Sequence, residues 1–122
     1  MFEVAVRQHF DAAHYLREYN GKCEELHGHR FEVVVILKCD RLNNIGLAYD
    51  FSRLKKHLNE IIDNYDHTCI NDVAPFDKIN ASSENIAVAI YEQMQKKLGE
   101  FSTALFSVQV WESPSSCVTY TP

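Results

Sequence analysis

The chain has 122 residues, 46% of them hydrophobic and 24% charged, with a net charge of −5 at pH 7. These are ordinary globular values, which argue against disorder, and the acidic balance argues against a protein that grips nucleic-acid phosphates. No stretch approaches the roughly 18 apolar residues of a membrane span, and "MFEVAVRQHF" lacks the apolar core of a signal peptide.

The length suits a single domain over residues 1–122. Cys23, Cys39, Cys69 and Cys117 form no C-x-x-C, so the expectation is a reduced, cytoplasmic protein whose thiols are mostly small core residues, Cys39 and Cys69 above all.

The first predicted strand is "FEVAVRQHF", in which Phe2, Val4 and Val6 alternate with Glu3, Ala5 and Arg7. The β-branched run "RFEVVVILKCD", bounded by "NN", predicts a second strand antiparallel to it. Between them "YLREYNGKCEEL" is too long for a tight hairpin turn, and loops of that length in compact domains are commonly functional. "YDFSRLKKHLNEIIDNYD" predicts a helix with Phe51, Leu54, Leu58, Ile61, Ile62 and Tyr65 on one face, capped by Asp50 or Ser52. "ASSENIAVAIYEQMQKKLGE" predicts another, capped by Ser82 or Ser83, striped by Ile86, Ile90, Met94 and Leu98, and stopped by Gly99. "TALFSVQVWES" returns to strand, and "SPSS" breaks it before a final strand in "CVTYT". The order ββααββ predicts an α+β fold, an antiparallel four-stranded sheet with two helices packed on one face.

In a strand, residues two apart share a face, so His27 and His29 can offer two imidazoles to one ion, and His14 joins them if the two strands pair. Three imidazoles with an open fourth position suit a catalytic zinc site, and Gly28 between two of them leaves room for approach. Hydrogen-bonded surface or core histidines are the alternative, and His9 and His57 are read that way. Cys23, four residues before His27, is either a fourth ligand closing a structural site or a general base whose thiol a nearby cation acidifies. In "NYDHTCIN", Asp66 is placed to orient His67. Glu112, beside Trp111 at a strand exit, either faces water or anchors a flat heterocycle by charge-assisted bonds of about 1.5–3 kcal/mol each.

Together "FDAAHYL", "CEELHGHRF", "GLAYDFSRLK", "YDHTCIN", "SSEN" and "VWES" resemble, in order and nearly end to end, the 6-pyruvoyl tetrahydropterin synthase family, and most closely its bacterial 6-carboxytetrahydropterin synthase branch, which serves queuosine biosynthesis. The resemblance implies the tunnelling fold, in which subunits pool their sheets into a barrel, commonly as a hexamer, with active sites at subunit interfaces. It implies Zn2+ held by His14, His27 and His29, Cys23 as the proton-transfer thiol with Asp66 and His67 as partners, and Glu112 as the pterin anchor. It further implies a pterin triphosphate substrate, with no role for nucleic acid or membrane. Ala81-Ser82 stands where the family often has Pro-Thr, Tyr65 and Ile70 replace leucines usual around the Asp-His pair, and Ser113 replaces a usual threonine. Lys22 and Arg30 are both candidates to meet the triphosphate. A pyruvoyl synthase, a side-chain aldolase and a non-catalytic protein with a closed Cys23 zinc site are the alternative readings.

Overall fold

In the computed structural model, which describes Met1–Pro122, the elements follow the expected order: β1 (Phe2–His14), β2 (His27–Cys39), α1 (Phe51–Ile62), α2 (Ser83–Leu98), β3 (Leu105–Ser113) and β4 (Ser116–Tyr120). The strands make one antiparallel sheet in the order β1-β2-β3-β4, so β1 and β4 are its edges.

Alternation decides which face the helices cover. On β1, Val4, Val6, Phe10, Ala12 and His14 are buried, whereas Glu3, Ala5, Arg7 and His9 are exposed. Their cross-strand partners Leu37, Val35 and Phe31 are completely buried. β1 continues past Phe10 to His14 because the period of two persists there, with Ala12 and His14 in the inward positions.

The Asp50 carboxylate accepts the Ser52 N–H at 2.8 Å and opens α1, whose buried side chains are Leu54, Leu58, Ile61 and Ile62. Phe51, expected on that face, is exposed, while Tyr65 reaches the core from beyond the helix end. Ser82 caps α2 by accepting the Asn85 N–H at 3.1 Å. Ile86, Ile90, Met94 and Leu98 then line the buried stripe, and Gly99 ends the helix at φ 57°, a conformation that lacks a steric cost only for glycine. Burying each of these aliphatic side chains stabilises the fold by about 1.5–3 kcal/mol.

The core role expected for Cys39 and Cys69 is corrected: both are half-buried, and Cys117 is exposed opposite Trp111. All four thiols are free. Cys39 packs on the margin of the core, where burial pushes its thiol above the usual range. No helix is long and apolar enough to cross a membrane.

The face of the sheet away from the helices carries charge. Arg7 pairs with Glu32 and lies over the Trp111 ring, and Arg30 pairs with Asp11 across β1 and β2. Exposed pairs of this kind are screened by water and salt, so they decorate the sheet more than they hold it.

Candidate active site

The histidines extend the aromatic layer of the core. Phe10 and Phe31 face each other across β1 and β2 with ring centroids 5.0 Å apart. One step along the same face Ala12 meets His29, and one step further His14 meets His27. The three imidazoles lie with centroids 4.6, 4.8 and 5.3 Å apart. His14 is buried, while His27 and His29 are partly open to solvent.

Backbone carbonyls fix which ring nitrogen faces the centre. His14 Nδ1 stands 2.7 Å from the Ala81 carbonyl, and His27 Nδ1 stands 2.7 Å from that of Glu25. A carbonyl only accepts, so each Nδ1 donates, and each Nε2 is the ring nitrogen left to face the centre. Such hydrogen bonding of the remote nitrogen is how metal-ligating histidines are oriented.

Glu112 completes the cluster. Val108 and Val110 of β3 point into the core, and Glu112 follows two residues later on the same face. Its Oε1 lies 3.1 Å from His14 Nε2, 3.0 Å from His29 Nε2 and 3.9 Å from His27 Nε2. His29 Nε2 is shielded from solvent and makes no properly aligned hydrogen bond, despite that short distance. Burial lowers the tendency of His29 to take a proton, against the pull of Glu112. Imidazole nitrogens and a carboxylate oxygen that meet at one point share either a proton, as in the His14–Glu112 hydrogen bond, or a cation, and nitrogen and oxygen donors in this number fit a transition ion such as zinc. A group of four donors, all within 4.8 Å of one another, comprises His14, His27, His29 and Glu112. Read from sequence as a ring anchor, Glu112 thus also stands among the imidazoles, and the alternation Val108, Val110, Glu112 is the signal that would have placed it there.

A cleft of about 500 Å³ opens over this cluster, lined by Lys22, Cys23, Leu26, His27, His29 and Glu112 among others. Cys23 sits in a short 3-10 turn, Lys22–Glu24, which is tied down by the Leu16 N–H donating to the Cys23 carbonyl at 2.7 Å. It lines the cleft without belonging to the four-donor group, so a closed site of Cys23 and three imidazoles finds no support. Arg30 lies on the opposite face of the sheet from its neighbour His29 and grips Asp11 with two bonds, at 3.0 and 3.3 Å. Lys22 is the lysine of the cleft. Gly28 is corrected as well: it alternates away from the histidines, and a Cβ there would meet only the Ala12 carbonyl at 3.8 Å.

Asp66 and His67 lie elsewhere in the chain, on the outer edge of β1. The Asp66 carboxylate accepts the Asp11 N–H at 2.9 Å and lies 3.0 Å from His67 Nδ1. The His67 N–H donates to the Asp11 carbonyl at 2.7 Å, and the Ala13 N–H donates to the Thr68 carbonyl at 2.9 Å. These bonds hold His67 at φ 58°, a left-handed conformation that non-glycine residues adopt at a cost of about 1–2 kcal/mol. The Asp11 amide first, and His67 second, hold the Asp66 carboxyl below its usual range. The His67 imidazole is 79% exposed and is not in the cleft lining, so one chain does not unite it with Cys23.

Sequence reading missed the residues that pin the loop after β1. Asn71, buried, exchanges two bonds with the Tyr15 backbone, each 3.0 Å, and Asn80 does the same for Arg17 at 2.9 and 3.1 Å. Side-chain amides here imitate a neighbouring strand. Nothing in the spacing of single asparagines announces this.

A family model described as 6-pyruvoyl tetrahydropterin synthase matches residues 3–122. The chain is 35% identical to the 6-carboxy-5,6,7,8-tetrahydropterin synthase of Bacillus subtilis over 128 aligned positions, covering 99% of this chain and 86% of that protein. It is 36% identical to the protein of the same name from Synechocystis, covering 91% and 86%. Among solved structures, the 6-pyruvoyl tetrahydropterin synthase of Caenorhabditis elegans superposes with a TM-score of 0.88 at 26% identity, covering 99% of this chain and 95% of that one. The architecture is the tunnelling fold expected from the resemblance.

Proposed function

The chain belongs to the 6-pyruvoyl tetrahydropterin synthase family of enzymes, and from that premise we propose that it is a zinc-dependent lyase acting on 7,8-dihydroneopterin triphosphate. The products would be 6-carboxy-5,6,7,8-tetrahydropterin, acetaldehyde and triphosphate, with uptake of one water, as in the queuosine pathway. The names of the relatives at 35% and 36% identity support this product over the pyruvoyl one. The observation that carries the reading is the convergence of three imidazole Nε2 atoms at the floor of a cleft bearing a thiol.

His14, His27 and His29 would hold the zinc, which supplies Lewis-acid polarisation of the side-chain hydroxyl oxygens. Cys23 takes the proton from the side-chain carbon beside the ring. His67, backed by Asp66, relays protons as the triphosphate leaves and the carbon–carbon bond opens. Glu112 accepts N–H bonds from the pterin ring, and Lys22 meets the triphosphate.

Because His67 is remote from the cleft of its own chain, the acid–base pair would serve the Cys23 of a neighbouring copy in a homo-oligomer, a hexamer by analogy with the family. β4 and the part of β1 before Asp11 have no strand beyond them, which favours such pooling, since unpaired strand edges invite pairing.

Purified protein given dihydroneopterin triphosphate and followed by mass spectrometry tests the reading. Acetaldehyde and a 6-carboxypterin are expected. A 6-pyruvoyl product would assign the sibling reaction, and a 6-hydroxymethyl product the aldolase.

A further inference from the structure

We propose that Asn80 is a positioning residue of the metal centre, because it clamps together the two loops whose carbonyls orient His14 and His27. The proposal rests on the metal reading of those histidines given above.

The two orienting carbonyls belong to separate segments. Ala81, fully buried on the approach to α2, receives His14 Nδ1 at 2.7 Å. Glu25, at the end of the turn that carries Cys23, receives His27 Nδ1, also at 2.7 Å. That turn closes on itself through Glu24 N–H to the Gly21 carbonyl and Glu25 N–H to the Lys22 carbonyl, each 3.1 Å. Neither segment is a strand of the sheet, so the ladder that aligns the histidines does not place the groups that aim them.

Asn80 ties the two segments together. Its side-chain oxygen accepts the Arg17 N–H at 2.9 Å and its Nδ2 donates to the Arg17 carbonyl at 3.1 Å, so the amide serves as acceptor and donor at once. Leu16, the neighbour of Arg17, donates its N–H to the Cys23 carbonyl at 2.7 Å. On its other side Asn80 is joined by one peptide bond to Ala81, and its own carbonyl accepts from Asn85 Nδ2 at 3.0 Å, which fixes its backbone against α2. The Arg17 guanidinium adds bonds of 3.1 Å to the Phe76 and Ile79 carbonyls. The Ala81 carbonyl is thus held directly, and that of Glu25 through Arg17, Leu16 and the Cys23 turn. Without the amide each carbonyl could shift relative to the other, and the two ligand rings with them. Losing a group that orients ligating histidines typically costs about 10–100-fold in metal affinity.

Zinc affinity by chelator competition and hydrogen exchange of the metal-free protein test this. Asn80→Ala should weaken zinc binding about 10-fold. Exchange in peptides spanning Leu16–Leu26 should accelerate about 10-fold, while peptides from α1 keep the wild-type rate. Asn80→Asp keeps the oxygen for the Arg17 N–H and lacks the donor; it should lie between wild type and Asn80→Ala, and it carries the test if the alanine variant does not fold. Tyr91→Phe, which loses a buried 3.0 Å bond to the Leu105 carbonyl, controls for general destabilisation and should leave both readouts at wild type. Wild-type zinc affinity and exchange in the Asn80 variants, or equal weakening in Tyr91→Phe, would overturn the proposal alone. Wild-type protein that binds no zinc would remove the underlying metal reading, and the proposal with it.

Discussion

Ala12 stands directly across the β1–β2 ladder from His29, between the stacked Phe10–Phe31 pair and the His14–His27 pair. The smallest chiral side chain thus lies opposite an imidazole that must reach sideways to its two companions. Enlarging it to valine should crowd His29 at a cost of about 1–3 kcal/mol and lower metal content more than stability. Metal analysis of Ala12→Val, beside its thermal midpoint, checks this; full metal content would show that the small residue is not needed.

Asn71 is buried and satisfies both backbone groups of Tyr15. Asn71→Ala leaves those groups unpaired, for a loss of about 1–3 kcal/mol in urea unfolding. Amide exchange at Tyr15 and Leu16 should accelerate more than elsewhere, because the segment carrying Cys23 is tied to Leu16.

The Asp66 carboxyl is held below its ordinary value of 3.8, first by the Asp11 amide and then by His67. A depressed folded value means that its stabilising contribution is complete above the unfolded value and vanishes as pH falls through the folded one. The urea midpoint of wild type should therefore exceed that of Asp66→Ala at pH 7, and the gap should close below about pH 4. A gap independent of pH would assign the difference to packing.

Cys23→Ala and His67→Ala should each lower turnover by about 10²–10⁴-fold while the metal stays bound. Refolded together, the two inactive variants should regain activity, because mixed assemblies contain sites with one intact residue from each chain. Mixtures no more active than their components would place both residues in one subunit's site.

Lys22 lines the cleft, whereas Arg30 lies on the other face and is engaged by Asp11. Lys22→Gln should raise the KM for the triphosphate substrate by roughly 10-fold, the scale of one charge-assisted bond, without weakening binding of phosphate-free dihydroneopterin. Arg30→Gln should leave KM near the wild-type value. The reverse pattern would reassign the anion contact.

Much of this was legible because period and spacing carry it. Alternation put Val4, Val6 and Phe10 inside, and the same parity united His27 with His29, while pairing of β1 with β2 brought in His14. The caps Asp50 and Ser82 follow from hydrogen-bonding chemistry that a sequence displays directly. Other features depend on contacts between distant segments. The place of Asp66 and His67 on the outer edge of β1 is decided by backbone bonds to Asp11, which no local pattern encodes. The half-exposure of Cys39, at the end of β2, and of Cys69, in the segment bridged to Ala13, likewise depends on neighbours distant in sequence.

The parity of the β1–β2 ladder links the folding reaction to the chemistry. Sliding either strand by a single residue would invert its side chains, turning Phe10 or Phe31 out to water together with the imidazoles. A misregistered molecule therefore forfeits its hydrophobic core and its cluster of imidazoles in the same stroke, so uptake of a metal probe during refolding would report correct strand alignment.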